Sequence, residues 1–211
     1  MELTFIMKII LIIGFSYFLG SIPFGYLVSK YLKKVDIREY GSGNIGASNI
    51  FRVLGFRYAL LVMIGDCLKG FLAVYFAKLF TTASTELYLI AGLFAIIGHN
   101  WSIFLKFQGG KGIATTYGII LCLYPYIAII SALIWIILVV SSKFASLGSL
   151  VSVLSMLLMS FIFQTSAEFK YFVLVINILA LLRHRSNIIR LIKHKENKII
   201  SEKPIINKIE K

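Results

Sequence analysis

Acidic residues are scarce in this chain: nine Asp and Glu stand against 22 Lys and Arg in 211 residues, a formal net charge of +13. Charge of either sign makes up only 15% of the sequence, whereas 59% is hydrophobic. Soluble domains carry roughly 25% charged residues. A surface wholly facing water is therefore excluded, and the bilayer is the solvent that suits the composition. Cysteine is nearly absent. Cys67 and Cys122 both lie in apolar runs, where packed thiols are expected rather than a disulfide or a metal pair. No grouping of His, Cys, Asp and Glu has metal-ligand spacing, so neither a metal nor a cofactor is expected.

The basic surplus fits nucleic acid, anionic lipid or an anionic substrate. The cations fall in short segments between apolar runs, which excludes nucleic acid as the first choice and makes anionic membrane lipid an expected partner. An apolar helix needs about 20 residues to cross a bilayer. Seven spans are expected, at 5–29, 58–80, 87–105, 113–124, 127–141, 145–163 and 171–182. The fourth and seventh are short, and only Tyr124-Pro125-Tyr126 breaks the fourth from the fifth, so five or six spans stay open. Residues 21–25, Ser-Ile-Pro-Phe-Gly, are expected to kink or loosen the first helix for close packing.

Of the basic residues, six lie in 30–57, two in 106–112 and nine in 183–211. The segments 81–86, 124–126 and 164–170 are nearly free of them. With seven alternating spans, the positive-inside rule places the N-terminus outside and the C-terminus in the cytoplasm. Lys30, Lys33 and Lys34 follow the first apolar run, which is expected to be a retained span rather than a cleaved signal. No internal repeat supports an inverted-repeat transporter. The expected organisation is one all-α membrane domain over 1–194 and a frayed, Lys-rich cytoplasmic tail over 195–211, near anionic headgroups.

Three polar segments carry candidate chemistry, all on the cytoplasmic side of the seven-span arrangement. The first contains Gly41, Ser42, Gly43, Asn44, Gly46 and Asn49, followed by Arg52. Its glycines allow positive φ and a concave turn of backbone N–H groups that binds anions. Ser42, Asn44 and Asn49 add neutral donors, and Arg52 can form a bidentate pair with phosphate. The second is Phe107-Gln108-Gly109-Gly110-Lys111-Gly112, which runs directly into an apolar helix. Exposed amides, the positive end of a helix and a point charge together suit a phosphate. The Walker A spacing is absent. The third places His184, Asn187 and Arg190 on one helical face at spacings of three. Each segment alone has a plainer reading: a flexible loop, a tight turn with a snorkelling lysine, a basic helix lying on lipid. Their convergence on one side favours a shared anion site. Asp66 and Lys69, at i and i+3 within a span, are expected to form a neutralised structural pair. His99 and Asn100 either shape the glycine turn or line the site.

Together these motifs resemble those of the bacterial acyl-phosphate:glycerol-3-phosphate acyltransferases, from Gly20-Ser21-Ile22-Pro23 to Glu196. The resemblance implies seven helices, an outside N-terminus and a cytoplasmic active site in the bacterial inner membrane. It implies Ser42 and Arg52 as the essential pair of the first motif. It implies Lys111 with Gly109, Gly110 and Gly112 as the loop holding glycerol 3-phosphate. His184 and Asn187 match the polar pair of the third motif, Glu196 its structural acid, and Ser149 a further small motif. The substrates implied are acyl phosphate and glycerol 3-phosphate, and the enzyme that makes acyl phosphate is a candidate partner. Ser102 replaces a usual proline, Gln108 a usual lysine, and the glycine before the glutamate is missing. No His-x-x-x-x-Asp dyad is present, since no aspartate follows any of the three histidines at that spacing. The general base is therefore either His184 or a phosphate oxygen of the substrate. A phosphate-ester transporter and a non-enzymatic lipid-binding scaffold are the rival readings.

Overall fold

Pro23 shapes the first element. The computed structural model describes residues 2–81 and 85–199, with side chains from Ile6 onward. Helix α1 (Glu2–Ser21) stops before Pro23, and α2 (Phe24–Lys33) resumes beyond it. The two form one apolar stretch, Ile6–Lys33. The break frees two carbonyls, which a membrane interior does not leave unpaired. The Ser102 hydroxyl donates to the Ser21 carbonyl at 2.5 Å, and the Lys69 ammonium donates to the Ile22 carbonyl at 2.8 Å. Ser102, standing at a place where proline would carry no hydroxyl, thus becomes a tie between two elements.

A 3-10 turn (Ile37–Glu39) and the short helix α3 (Ala47–Leu54) follow. Their apolar faces, Ile37, Ile50 and Val53, are fully buried against Val62 of the next helix. That helix, α4 (Phe56–Phe80), is the longest at 25 residues. It is followed by α5 (Thr85–Asn100), a 3-10 turn (Ile103–Leu105), α6 (Ile113–Leu123), α7 (Pro125–Ser142) and α8 (Ala145–Ile162). The chain then forms α9 (Ala167–Arg183) and α10 (Arg185–Ile192), bent 63° from each other. Small residues let α4 and α6 touch backbone to backbone: a Cβ at Gly118 would lie 1.8 Å from the Cys67 carbonyl oxygen. Val74, Ile96, Ile119, Val153, Met156 and Phe172 form the central core from five helices.

Hydroxyls and amides join the second half. The Ser155 hydroxyl donates to Ser131 at 3.0 Å, and the Asn177 amide crosses to the Val153 carbonyl at 3.1 Å. Outward, large apolar side chains are exposed on several helices; Leu11, Ile137, Val140 and Ile162 stand 65–73% open. This inverted pattern suits lipid contact.

Seven segments were expected as spans. Five stretches are long and apolar enough to cross, and the bent α9–α10 pair makes a sixth. The fourth expected span is α6, with 11 residues, or about 16 Å at 1.5 Å per residue. That is short of the roughly 30 Å hydrocarbon core. The reason is local: the glycine turn delays the helix start to Ile113 and Pro125 begins the next helix.

Removing Lys69 strands the Asp66 carboxylate, whose ion pair measures 2.7 Å, and leaves the Ile22 carbonyl only the Phe24 amide at 3.2 Å. Lys69→Met is expected to cost about 3–5 kcal/mol, read as a lowered unfolding temperature in detergent. Adding Asp66→Leu should recover part of that loss; further destabilisation would contradict a paired, structural role.

Candidate active site

The turn after α5 folds back onto the helix it leaves. The Gly109 amide donates to the Asn100 carbonyl at 3.2 Å, and the Gly110 amide to the His99 carbonyl at 2.9 Å. A Cβ at Gly110 would lie 2.1 Å from His99 Nε2, so only glycine lets the turn close on the imidazole. His99 and Asn100 therefore shape the turn. The Gly109 and Gly110 amides, expected to face a phosphate, here donate to the end of α5. Their carbonyls are held too. Arg183 donates to Gly110 O at 3.0 and 2.7 Å and to Gly109 O at 3.0 Å, with its guanidinium 5.3 Å from the Trp101 ring centre. Gly112, at φ +80°, then starts α6, whose first amides have no intrahelical acceptor.

Lys111 leaves this turn toward α10. Its ammonium donates to Asn187 Oδ1 at 2.5 Å. Asn187 Nδ2 donates onward to Glu196 Oε1 at 2.7 Å. These partners fix the amide's orientation, since ammonium only donates and carboxylate accepts. Glu196 also receives the Ser146 hydroxyl at 3.1 Å and Arg190 Nε at 2.8 Å. Burial lowers the Lys111 pKa to about 8; Glu196 opposes that shift, while Arg190, Arg52 and Arg183 add to it. The expected groups Lys111, Asn187 and Glu196 are thus brought into one chain of hydrogen bonds.

His184 sits at the joint of α9 and α10, past the end of the expected span 171–182. Its Nδ1 lies 2.8 Å from the Ala180 carbonyl. A carbonyl only accepts, so Nδ1 carries the proton and Nε2 keeps a lone pair. Burial, with Lys111 nearby, lowers the His184 pKa to about 4. Its imidazole is neutral at physiological pH.

The first polar segment is organised from within. Asn49 is 2% exposed, and its Oδ1 accepts the Ser42 amide at 2.8 Å. Asn49 Nδ2 donates to the carbonyls of Tyr40 and Asn44 at 3.0 and 2.9 Å. The Asn44 side chain accepts the Gly46 amide at 2.8 Å, and the Gly43 amide goes to the Tyr40 carbonyl at 3.0 Å. Gly41, at φ +62°, packs against Asn49, where a Cβ would lie 2.3 Å from Oδ1. Asn44, Asn49, Gly43 and Gly46, expected among the phosphate ligands, here make hydrogen bonds to the turn's own backbone. Ser42 remains exposed at its tip. Ten residues on, Arg52 reaches the backbone carbonyls of Lys198 and Asn197 at 2.8 and 3.2 Å.

Ser149 lies on α8, one turn beyond Ser146. Its hydroxyl donates to the Ala145 carbonyl at 2.8 Å and accepts Trp135 Nε1 at 3.2 Å, so it joins α8 to α7. Ser146, one turn earlier, is the serine that touches the polar chain. Asp66 and Lys69 pair at 2.7 Å as expected, with His99 Nδ1 3.5 Å from the same carboxylate oxygen. Three contributors escaped sequence reasoning: the Arg183 clamp, Ser146, and the backbone beyond Glu196. In the sequence Arg183 stands only as the first of the nine cations in 183–211. Of the tail expected over 195–211, residues 195–199 pack onto the bundle; residues 200–211 lie outside the described residues.

A family of glycerol-3-phosphate acyltransferases matches residues 10–194. Glycerol-3-phosphate acyltransferase of Thermoanaerobacter pseudethanolicus is 41% identical over 87% of this chain and 92% of its own length. That of Carboxydothermus hydrogenoformans is 44% identical over 92% of this chain and 98% of its own. The crystal structure of PlsY, an integral membrane glycerol 3-phosphate acyltransferase, in its glycerol 3-phosphate form superposes with a TM-score of 0.86 at 36% identity. It covers 90% of this chain and 94% of that one. Its lysophosphatidic acid form gives 0.84 at 35% identity. With its motifs, its fold and nearly its whole length aligned, this multi-pass membrane chain belongs to the glycerol-3-phosphate acyltransferase family.

Proposed function

We propose that the chain moves a fatty acyl group from acyl phosphate to the sn-1 hydroxyl of glycerol 3-phosphate. The products are lysophosphatidic acid and inorganic phosphate, and the reaction opens phospholipid synthesis at the cytoplasmic face of the bacterial inner membrane. One observation carries the reading: Lys111 is held by Asn187 and Glu196 beside Arg52, Arg183 and Arg190, so a cationic centre stands ready at one end of an apolar bundle. A lipid-borne anionic head and a small soluble phosphate ester both suit that position. Lysine-rich segments around it favour anionic headgroups, and the enzyme that produces acyl phosphate is the partner such a donor implies.

The glycerol 3-phosphate hydroxyl attacks the acyl carbonyl, the carbon–oxygen bond to phosphate breaks, and phosphate leaves. A mixed anhydride is already activated, so the residues position the reactants and stabilise negative charge. Lys111, Arg52 and the first amides of α6 are the groups assigned to phosphate oxygens, and exposed Ser42 is a hydrogen-bond donor. His184 is a weak base with its pKa near 4. A phosphate monoester has a second pKa of about 6, which makes the substrate's own phosphate oxygen the better acceptor for the hydroxyl proton. His184 Nε2 is left to accept a hydrogen bond that orients a substrate.

Purified protein given glycerol 3-phosphate should release inorganic phosphate with acyl phosphate as donor and form no product with acyl-CoA; the reverse preference sinks the donor assignment. Lys111→Ala should lower kcat/KM about ten- to a hundredfold, the worth of a charged hydrogen bond. The free Lys111 ammonium is charged below about pH 8 and lost above it. Affinity for glycerol 3-phosphate should therefore fall as pH rises through 8, seen as rising KM, and Lys111→Arg should remove that limb. His184→Gln should keep the shape of the pH–rate profile. Loss of a limb on that substitution would make His184 the base.

A further inference from the structure

The chain does not end its contribution at Glu196. After α10 it turns, with the Lys195 amide donating to the Arg190 carbonyl at 2.7 Å. Glu196 then anchors it to Ser146, Asn187 and Arg190. A second anchor follows three residues later. The Ile199 amide donates to the Lys143 carbonyl at 2.8 Å, and its side chain is buried with Val139 and Ala145 against Phe51 and Trp135. Between the anchors, two backbone carbonyls meet one guanidinium: Arg52 Nε donates to Lys198 O and Nη2 to Asn197 O.

An arginine side chain offers five N–H donors in a planar fork. The side edge, Nε with one hydrogen of Nη2, is occupied by the chain. The end edge, Nη1 with the other Nη2 hydrogen, has no acceptor among the described residues. That edge has the geometry of a bidentate phosphate contact. Glu196 and Arg190 act electrostatically on Arg52, and Arg52 acts on Lys111. The guanidinium therefore shares the field of the relay that holds Lys111. Fixing its plane in advance removes rotamer entropy that binding would otherwise cost.

We propose that residues 196–199 are a strap that positions Arg52, with the carbonyls of Asn197 and Lys198 holding one edge of its guanidinium so that the other meets a substrate phosphate beside Lys111. The strap lies beyond the residues 10–194 that match the family. Its role rests on the reading of Arg52 as a phosphate ligand.

Because the contact is made by backbone, the anchor is the place to perturb it. Ile199→Asp removes the apolar anchor but keeps the amide, and Ile199→Pro removes the amide hydrogen together with the isoleucine side chain. Each should raise KM for one phosphate substrate about tenfold, with kcat and the unfolding temperature changed far less. Arg52→Ala should raise the same KM, and adding Ile199→Asp to it should cause no further rise, since the strap acts through Arg52. If Arg52→Ala keeps wild-type kinetics, the phosphate-ligand reading falls and the strap's role falls with it. If Arg52→Ala is impaired while both Ile199 variants behave as wild type, or if the two losses multiply, the strap is overturned and the site reading stands.

Discussion

A charge inside a bilayer must be paired, and the Asp66–Lys69 contact is where this fold meets that constraint. Neither side chain is more than 3% exposed, and their ion pair spans one helical turn at 2.7 Å. Lys69 has hydrogens left over, and one goes to the Ile22 carbonyl that Pro23 frees from the first span. The same carboxylate lies 3.5 Å from His99, whose backbone carbonyl accepts the Gly110 amide. The break in the first span, the middle of α4, the end of α5 and the glycine turn thus form one connected polar path. Each link answers an unpaired group left by its neighbour.

At the far end of that path the balance is deliberately uneven. Arg183 grips the glycine turn from outside through two carbonyls. Lys111, Arg52 and Arg190 gather around the single carboxylate of Glu196, which reaches Lys111 only through Asn187. Interposing an amide between lysine and glutamate matters. A direct ion pair would satisfy the ammonium and compete with an incoming anion. The amide holds the ammonium in place while leaving most of its charge uncompensated. Such a centre is preorganised for negative charge and needs little rearrangement when it arrives.

Much of this was legible in the sequence because apolar length and glycine placement are direct physical signals. The segments expected as spans coincide with helices, the interruption at Tyr124-Pro125 is real, and the motifs do supply the polar path. Direction was not legible. A run of Gly, Asn and Ser reports that a turn can form, but not whether its donors face outward or inward. Asn49 faces inward, because a buried turn must first pair its own carbonyls at Tyr40 and Asn44. The Gly109 and Gly110 amides turn back for the same reason. Ser149 and Ser146 lie one helical step apart in similar surroundings, and only the packing of Trp135 decides which is engaged in joining helices. Contacts made by backbone, such as those of Asn197 and Lys198, leave no signature in side-chain identity at all.

His184 illustrates how the same local rules decide chemistry. Both its amide and its Nδ1 converge on the Ala180 carbonyl, at 2.9 and 2.8 Å. That double contact closes α9 and holds the joint from which α10 departs at 63°. Without the bend, Asn187 would continue along the α9 axis, away from Lys111. The ring that makes the joint is buried beside a cation, which keeps it neutral and weakens it as a base. Its position is therefore suited to geometry and its basicity is not suited to proton abstraction. A histidine in a polar motif invites assignment as the base. Here the same burial that packs the joint also lowers the basicity of the ring.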